Sequence, residues 1–332
     1  MANPSKTDWA KLYQTSIRFK EAAPWAWMKN EDLFAVEDPA TGEIGYCSIL
    51  GNGGQEFGLG IFMGDEGYAK YLRMMSDEPV SDALTENIMT PLLSLLFSDR
   101  KDLQTQDINV IRSLGLQFRG RNAWPMFRSQ RPGYAPWFLD KAETVFLGFA
   151  VEQALVVAAE VGGRHLDLYE GADDNLILTR RRRDGGWEEY WSKAPKPQGE
   201  RPSTPPMISE ALVRKMENKA GAWELDIFVL PAPIGPMSGR PYFPLCFFAM
   251  ERSSGLVVAN ETSDPWIDLA GKRRTVIRIL EEADPPPRSI NVRSNEVKMI
   301  LQPITSRLGI DLRLQATPTL QVFKRSLTEY LH

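Results

Sequence analysis

The sequence has few of the residues that build zinc sites and disulfide frameworks. Its 332 residues include two cysteines and two histidines. Cys47 and Cys246 lie far apart, each within an apolar run, which is typical of buried, reduced thiols. The histidines, His165 and His332, are isolated, and no CxxC or HExxH spacing occurs. A zinc site with nitrogen and sulfur ligands is therefore not expected, and any metal would need carboxylate ligands.

Apolar runs and cofactor fingerprints are also lacking. The N-terminal residues contain no apolar core of a signal peptide, and no stretch reaches the roughly 18 uninterrupted apolar residues of a membrane span. We therefore expect a cytoplasmic protein with no membrane association. Neither a Gly-x-Ser-x-Gly elbow nor a glycine-rich dinucleotide fingerprint is present, so no cofactor is predicted.

An excess of positive charge is absent as well. The formal net charge is -4, which argues against a protein that coats nucleic acid through its overall charge. Hydrophobic residues make up 43% and charged residues 25% of the chain, as in ordinary globular proteins. A chain of 332 residues predicts about two domains.

The periodicity of the first half predicts an opening helix at 7–22, a three-stranded meander, and then alternating helices and strands. The predicted strands are 32–37, 44–50, 57–63, 92–97 and 116–118, and the predicted helices are 64–75, 106–114 and 140–161. Asp140 is the expected N-cap of the last helix, with Glu143 completing a capping box.

The second half predicts the same order of elements. Its strands are expected at 223–230, 242–250, 256–260, 289–293 and 310–314, and its helices at 209–219, 275–283, 296–308 and 319–331. Between the halves lie a hairpin pattern around Asp184-Gly-Gly and a proline-rich linker, 194–206. We predict an N-terminal α+β domain at 1–162, the hairpin and linker at 163–206, and a C-terminal domain at 207–332.

The order of three strands followed by helix, strand, helix, strand and helix resembles the ribonuclease H-like fold. The run Trp223-Glu-Leu-Asp-Ile-Phe is similar to the first strand of integrase cores. The resemblance implies an α+β fold with two ribonuclease H-like domains as a pseudo-duplication. It also implies carboxylates that hold divalent ions, one in the first strand, one at the end of the fourth and one in the closing helix. Asp226 matches the first position, and Glu329 lies in the closing helix, near its far end. Ser294 stands where the acid at the end of the fourth strand is expected, and Arg293 precedes it.

The first half offers a second acidic set, with Glu37 or Asp32 in its first strand, Asp99 after its fourth and Glu143 in its closing helix. More broadly, the chain resembles an uncharacterised bacterial family of unknown function. The residues that carry this resemblance are the runs PWAWM, TGEIGY, FRGRNAWPMFRSQRPGYAPWF and RPYFPL. That resemblance implies no activity.

Residues 108–139 form the most unusual segment, because they include five arginines and no acid. Arginines beside flat aromatic side chains are typical of sites that bind phosphates and stack bases. The candidate ligand-binding residues are Arg119, Arg121, Arg128, Arg131, Trp124 and Trp137. Two other interpretations stay open: the aromatic residues pack internally while the arginines pair with acids, or the segment binds a protein partner.

A second basic run, Arg180–Arg183, lies in the predicted hairpin, where Glu188 and Glu189 can pair with it across the turn. Taken together, the sequence predicts a non-catalytic module that binds nucleic acid or a phosphorylated ligand. The alternative is a divalent-metal-dependent nuclease or phosphotransferase that uses Asp226 and Glu329, or Asp99 and its neighbours. The oligomeric state is left open.

Overall fold

The structure, a computed structural model, describes residues 2–76, 83–170, 174–196, 206–235 and 239–331. The chain divides into two compact units. The first comprises 1–78, 90–131 and 136–197, and the second comprises 79–89, 132–135 and 198–332. Most of the predicted proline-rich linker lies outside the described residues.

The described chain contains both helices and strands. The helices are α1 Lys6–Ala22, α2 Gly64–Met75, α3 Ala83–Ile88, α4 Thr105–Ser113, α5 Lys141–Gly162, α6 Glu210–Lys215, α7 Leu269–Glu282, α8 Asn295–Leu308 and α9 Pro318–Leu331. The strands are β1 Phe34–Glu37, β2 Ile44–Leu50, β3 Gly58–Met63, β4 Leu92–Ser98, β5 Trp124–Gln130, β6 Leu176–Arg183, β7 Gly186–Lys193, β8 Ala220–Val229, β9 Leu245–Glu251, β10 Val257–Ser263, β11 Pro287–Val292 and β12 Asp311–Leu314. The chain is therefore a mixed α+β protein, as predicted.

The first unit contains a seven-stranded sheet in the order β5-β4-β3-β2-β1-β6-β7. All neighbouring strands are antiparallel except β1 and β6, which are parallel. Helices α1 and α5 pack against one face, where Phe34, Ile61 and Leu147 are fully buried. Helix α2 covers the other face through Tyr68 and Tyr71.

Helix α5 is anchored at its start and buried along its length. Asp140 accepts a hydrogen bond from the backbone N–H of Glu143, and the Glu143 carboxylate accepts one from the N–H of Asp140, which confirms the predicted capping box. By length and composition, α5 is apolar enough to cross a membrane. Its buried side chains, among them Phe146 and Val151, belong to the core of the first unit.

The second unit contains a five-stranded sheet in the order β10-β9-β8-β11-β12. The first three strands form an antiparallel meander, and β11 and β12 continue it in parallel on the other side of β8. Residues such as Leu225 and Val276 fill the core on one face. On the other face, Phe248 of β9 stacks on Phe323 of α9 with ring centroids 4.2 Å apart.

The two sheets agree in their opening meander and then differ. In the second unit, the fourth strand, β11, lies parallel beside the first, β8, whereas in the first unit β4 lies antiparallel beside β3. The close β3–β4 approach depends on Gly58, because a Cβ there would lie 1.9 Å from the carbonyl oxygen of Leu95. The prediction that both halves repeat one strand order is therefore wrong beyond the meander.

Two local predictions also need correction. A strand was expected at 116–118, and the structure instead forms β5 at Trp124–Gln130. Strand β5 is an edge strand of the sheet. Pro125 is tolerated there because an edge strand, unlike an inner strand, does not need every backbone N–H for pairing. The predicted hairpin is present as β6 and β7, and it extends the first sheet through β1 instead of standing apart from the N-terminal domain.

Candidate functional site

In the second unit, Asp226 on β8 is held by a lysine. The amino group of Lys324 on α9 donates a hydrogen bond to Asp226 Oδ2 at 2.9 Å, and both side chains are largely buried. The same amino group lies 4.2 Å from the centre of the Phe228 ring. Lys324 therefore supplies a positive charge at the position where a metal-dependent enzyme of the predicted type would need a cation.

The residues that follow β11 surround the same place. The guanidinium group of Arg293 donates a hydrogen bond to Gln321 Oε1 at 2.9 Å, and Ser294 is the N-cap of α8. Together with Asp226 and Lys324 they line a cavity of about 70 Å³. One water molecule needs about 10–15 Å³ of such space, so water can enter beside Asp226.

Glu329 does not join Asp226. Its side chain is exposed, and it follows Lys324 by five residues on α9. Successive residues of an α-helix are rotated by about 100°, so Glu329 points well away from the face that carries Lys324. The structure therefore separates the two acids that the ribonuclease H-like alternative requires.

The acidic set of the first unit is separated as well. Strands β2 and β3 lie between β1, which carries Glu37, and β4, which leads to Asp99. At about 4.8 Å per strand, β1 and β4 are roughly 14 Å apart. Asp99 Oδ1 accepts a hydrogen bond from the N–H of Asn122, and Glu143 pairs with Arg131. Among the described residues, no group of three or more His, Cys, Asp or Glu side chains could hold a metal ion.

Two candidate arginines of the segment 108–139 are engaged within the first unit. Arg128 donates to both carboxylate oxygens of Asp107 at 2.9 and 2.8 Å, and both residues are buried. Arg131 pairs with Asp140 at 2.9 Å and with Glu143 at 2.7 Å. Burial lowers the pKa of Arg131, but the hydrogen bonds and negative charges of these two acids outweigh that effect and raise it overall.

The candidate tryptophans also make internal contacts. Trp124 packs edge-on against Phe118 with ring centroids 5.8 Å apart, and Phe118 in turn stacks on Tyr13. Trp137 forms a backbone bridge to Ser129 and contacts the ring of Phe138. Phe118 and Trp124 pack against the core of the first unit, which is what the internal-packing interpretation expects.

Arg119 and Arg121 differ from Arg128 and Arg131, because both are exposed. They flank Gly120, whose φ of +100° favours glycine, in a turn that ends at Asn122. The N–H of Asn122 donates to Asp99, and its carbonyl oxygen accepts from the amino group of Lys20 at 2.7 Å. The turn is therefore fixed on both sides of the backbone.

These contacts bring further cations to the turn. Lys20 itself is one, and burial lowers the pKa of its amino group. Arg100, the neighbour of Asp99, is exposed and lies with its guanidinium carbon 5.5 Å from the centre of the Trp124 ring. We call Lys20, Arg100, Arg119 and Arg121 around Asn122 the basic turn surface. Its acids are Asp99 and the exposed Asp102.

Three of the cations described here were missed by sequence reasoning. Nothing in the sequence around Lys324 indicates a pair with Asp226, which is about one hundred residues away. Lys20 and Arg100 lie outside the acid-free segment. No sequence signal places Lys20 beside Asn122.

The basic run of the hairpin is paired across its turn, as expected. Arg180 contacts Glu189 at 2.8 Å and Arg181 contacts Glu188 at 2.5 Å. Arg180 also forms an ion pair with Glu160, at 3.7 Å. The hairpin arginines therefore neutralise acids of the first unit.

Both cysteines are free and buried, as predicted. Burial raises the pKa of Cys47 strongly, and it raises that of Cys246 to about 11, with the nearby Asp226 adding to the effect. Thiols with such pKa values are poor nucleophiles at neutral pH.

Comparison with family descriptions assigns both units to families without a known function. Residues 9–180 match a family described as Domain of unknown function (DUF7309), and residues 210–328 match one described as Domain of unknown function (DUF6930). The first match covers more than half of the chain, so the chain belongs to the DUF7309 family. No curated protein and no solved structure matches the chain.

Proposed function

We propose that the protein is a non-catalytic binding module that contacts the phosphates of a single-stranded nucleic acid through the basic turn surface. The observation that carries this proposal is the gathering of four cations, Lys20, Arg100, Arg119 and Arg121, around one fixed turn. Counterion release from phosphates supplies most of the free energy of such binding, and it needs exposed cations rather than a net positive chain. Base stacking has a small role, because the neighbouring aromatic side chains pack inward.

Features of the second unit support a non-catalytic role for the protein. Its strand order, with the first strand between the second and the fourth, matches the ribonuclease H-like layout, and we propose that fold for it. In such a unit the acid of the first strand needs a second carboxylate to share a divalent ion. Here Asp226 pairs with Lys324, and Ser294 caps a helix where another acid is required. A metal ion beside Lys324 would be repelled by its charge.

The binding proposal is tested by titrating a fluorescent single-stranded oligonucleotide at several salt concentrations. We expect affinity to fall as salt rises, because each phosphate contact releases counterions. In the double variant Arg119→Ala/Arg121→Ala, each lost contact flattens the plot of log K against log salt by about 0.7 for single strands.

The matched control is Arg183→Ala, which removes an arginine that is 65% exposed on the hairpin of the same unit. It is expected to bind like the wild type. The proposal is wrong if the wild type does not bind at low salt, or if the double variant keeps both the affinity and the salt slope of the wild type.

A further inference from the structure

The second unit carries an open pocket with aromatic walls that the proposed function does not use. The pocket has a volume of about 640 Å³ and is lined by Ile234, Tyr242, Pro244, Asp264, Trp266 and Asp268, among others. Trp266 is 48% exposed, which is unusual for so large an apolar side chain. We call this the aromatic pocket.

The rings of the aromatic pocket are arranged as two walls. Tyr242 meets Trp266 at an interplanar angle of 62°, with ring centroids 5.4 Å apart. Tyr134 stacks flat on Trp266 at 4.8 Å, with an interplanar angle of 7°. Although Tyr134 covers one face of the indole and Tyr242 meets it at an angle, Trp266 remains 48% exposed, so part of its ring system is open to a ligand. A ligand in the pocket can therefore meet an electron-rich aromatic face.

The walls are held in place before any ligand arrives. Tyr134 and Tyr242 form an antiparallel backbone bridge, and the N–H of Phe243 donates to the carbonyl oxygen of Gly133 at 2.8 Å. Gly133 has a φ of +81°, and a Cβ there would lie 2.3 Å from Pro265, which directly precedes Trp266. The segment 132–135 therefore needs glycine to approach Trp266 so closely. Such preorganisation lowers the entropy lost on binding.

The charge of the pocket is negative. Asp264 is exposed, and Asp268 caps α7 by accepting the N–H of Gly271 at 2.7 Å. Arg274 pairs with Asp268, and its guanidinium lies 3.9 Å from that carboxylate and is 74% exposed. Carboxylates beside the α7 N-terminus disfavour an anion, and tryptophan is the best aromatic partner for a cation.

We propose that the aromatic pocket binds an alkylated ammonium group. Such a group is cationic and weakly hydrated, so it gains from both the indole face and the carboxylates. It can belong to a choline-like small molecule or to a methylated lysine of a protein, and the chemistry is the same in both cases. The proposal is independent of the basic turn surface, which is in the first unit.

The test is calorimetric titration of the whole protein with choline and with its neutral isostere, 3,3-dimethylbutan-1-ol. Choline is expected to bind more tightly, by about three-fold to thirty-fold, since cation–π contacts contribute about 0.5–2 kcal/mol. A trimethyl-lysine peptide and its unmodified counterpart then distinguish the two sources. Tighter binding of the methylated peptide than of choline identifies a protein ligand, and the reverse identifies a small molecule.

Two variants locate the site. Trp266→Leu is expected to lose choline binding, and Asp264→Asn is expected to weaken it several-fold with the fold unaffected, because both side chains are exposed. Trp27→Leu is the matched control, since Trp27 is 44% exposed in the first unit. Equal affinity for choline and its neutral isostere, no binding of any ammonium probe, or unchanged binding in both pocket variants would each overturn the proposal.

Discussion

Each unit contains a largely buried pair of an aspartate and a cation, and the two pairs differ in their surroundings. Arg128 and Asp107 form a two-bond pair that is sealed inside the first unit. Lys324 and Asp226 form a one-bond pair that borders a small cavity in the second. The sealed pair has no route to a ligand and acts on stability, whereas the open pair neutralises an acid that would otherwise face the cavity.

The largest effect is expected from breaking the sealed pair. Arg128→Ala leaves Asp107 buried and unpaired, and removing one partner of a buried pair costs about 3–5 kcal/mol. Chemical denaturation followed by tryptophan fluorescence measures this loss. The double variant Arg128→Leu/Asp107→Leu should recover much of it, because no charge is then left buried. A loss below about 1 kcal/mol for Arg128→Ala would show that the pair is solvated.

The two buried cysteines, one in each unit, are expected to differ in the reactivity of their thiols. The pKa of Cys246 is raised from 9.0 to about 11, so at pH 8 the folded protein has about 100-fold less Cys246 thiolate than an unfolded chain. Cys47, with a still higher pKa and complete burial, should react more slowly than Cys246.

Alkylation with iodoacetamide and mass spectrometry of each thiol check this expectation. The rate at Cys246 should rise about tenfold per pH unit towards pH 11 while the protein stays folded. Rapid alkylation of Cys47 in the native protein would contradict the burial described here.

Breaking the open pair should cost less. Lys324→Ala removes one hydrogen bond to a charged group that is partly solvated, so we expect a loss of about 1–2 kcal/mol in the unfolding free energy of the second unit. Arg325→Ala, the exposed neighbour on α9, is the control and should leave stability unchanged. If Lys324→Ala instead stabilises the protein, hydration of Asp226 is more favourable than its ion pair with Lys324.

The smallest effect on stability is expected at the basic turn surface. Arg119→Ala should change the unfolding free energy by less than about 0.5 kcal/mol, because exposed surface substitutions away from caps and buried pairs usually do. The same denaturation assay compares it directly with Arg128→Ala. A large loss would show that Arg119 is structural and unavailable to a ligand.

The element order could be read from the sequence because periodicity and caps are local. Asp140 and Glu143 set the start of α5, as predicted, and Gly309 with a φ of +62° ends α8. The order of strands within the sheet could not be predicted in this way. A fourth strand with the same sequence pattern can pair with either edge of a three-stranded meander. The decisive feature at β3 is Gly58, whose role depends on the approaching backbone of Leu95.

The candidate site was harder to predict for the same reason. Arg119 and Arg128 belong to one acid-free segment, yet Asp107 on α4 selects Arg128 through strand register and helix packing. The local charge of an acid-free stretch is evident from the sequence. The acids that pair with its arginines lie on other helices and strands, and the sequence does not identify them. Lys324 reaches Asp226 from α9 in the same way, across residues far apart in sequence.

Cleavage in the presence of manganese distinguishes a binding module from a metal-dependent enzyme. The purified protein is incubated with labelled single-stranded and double-stranded oligonucleotides and Mn²⁺, and the products are separated by length. Because Lys324 holds Asp226 and Glu329 lies on another helix face, we predict that the oligonucleotides stay intact while single strands are still bound. Manganese-dependent cleavage that is abolished by Asp226→Asn would contradict the non-catalytic role and establish the metal-dependent alternative.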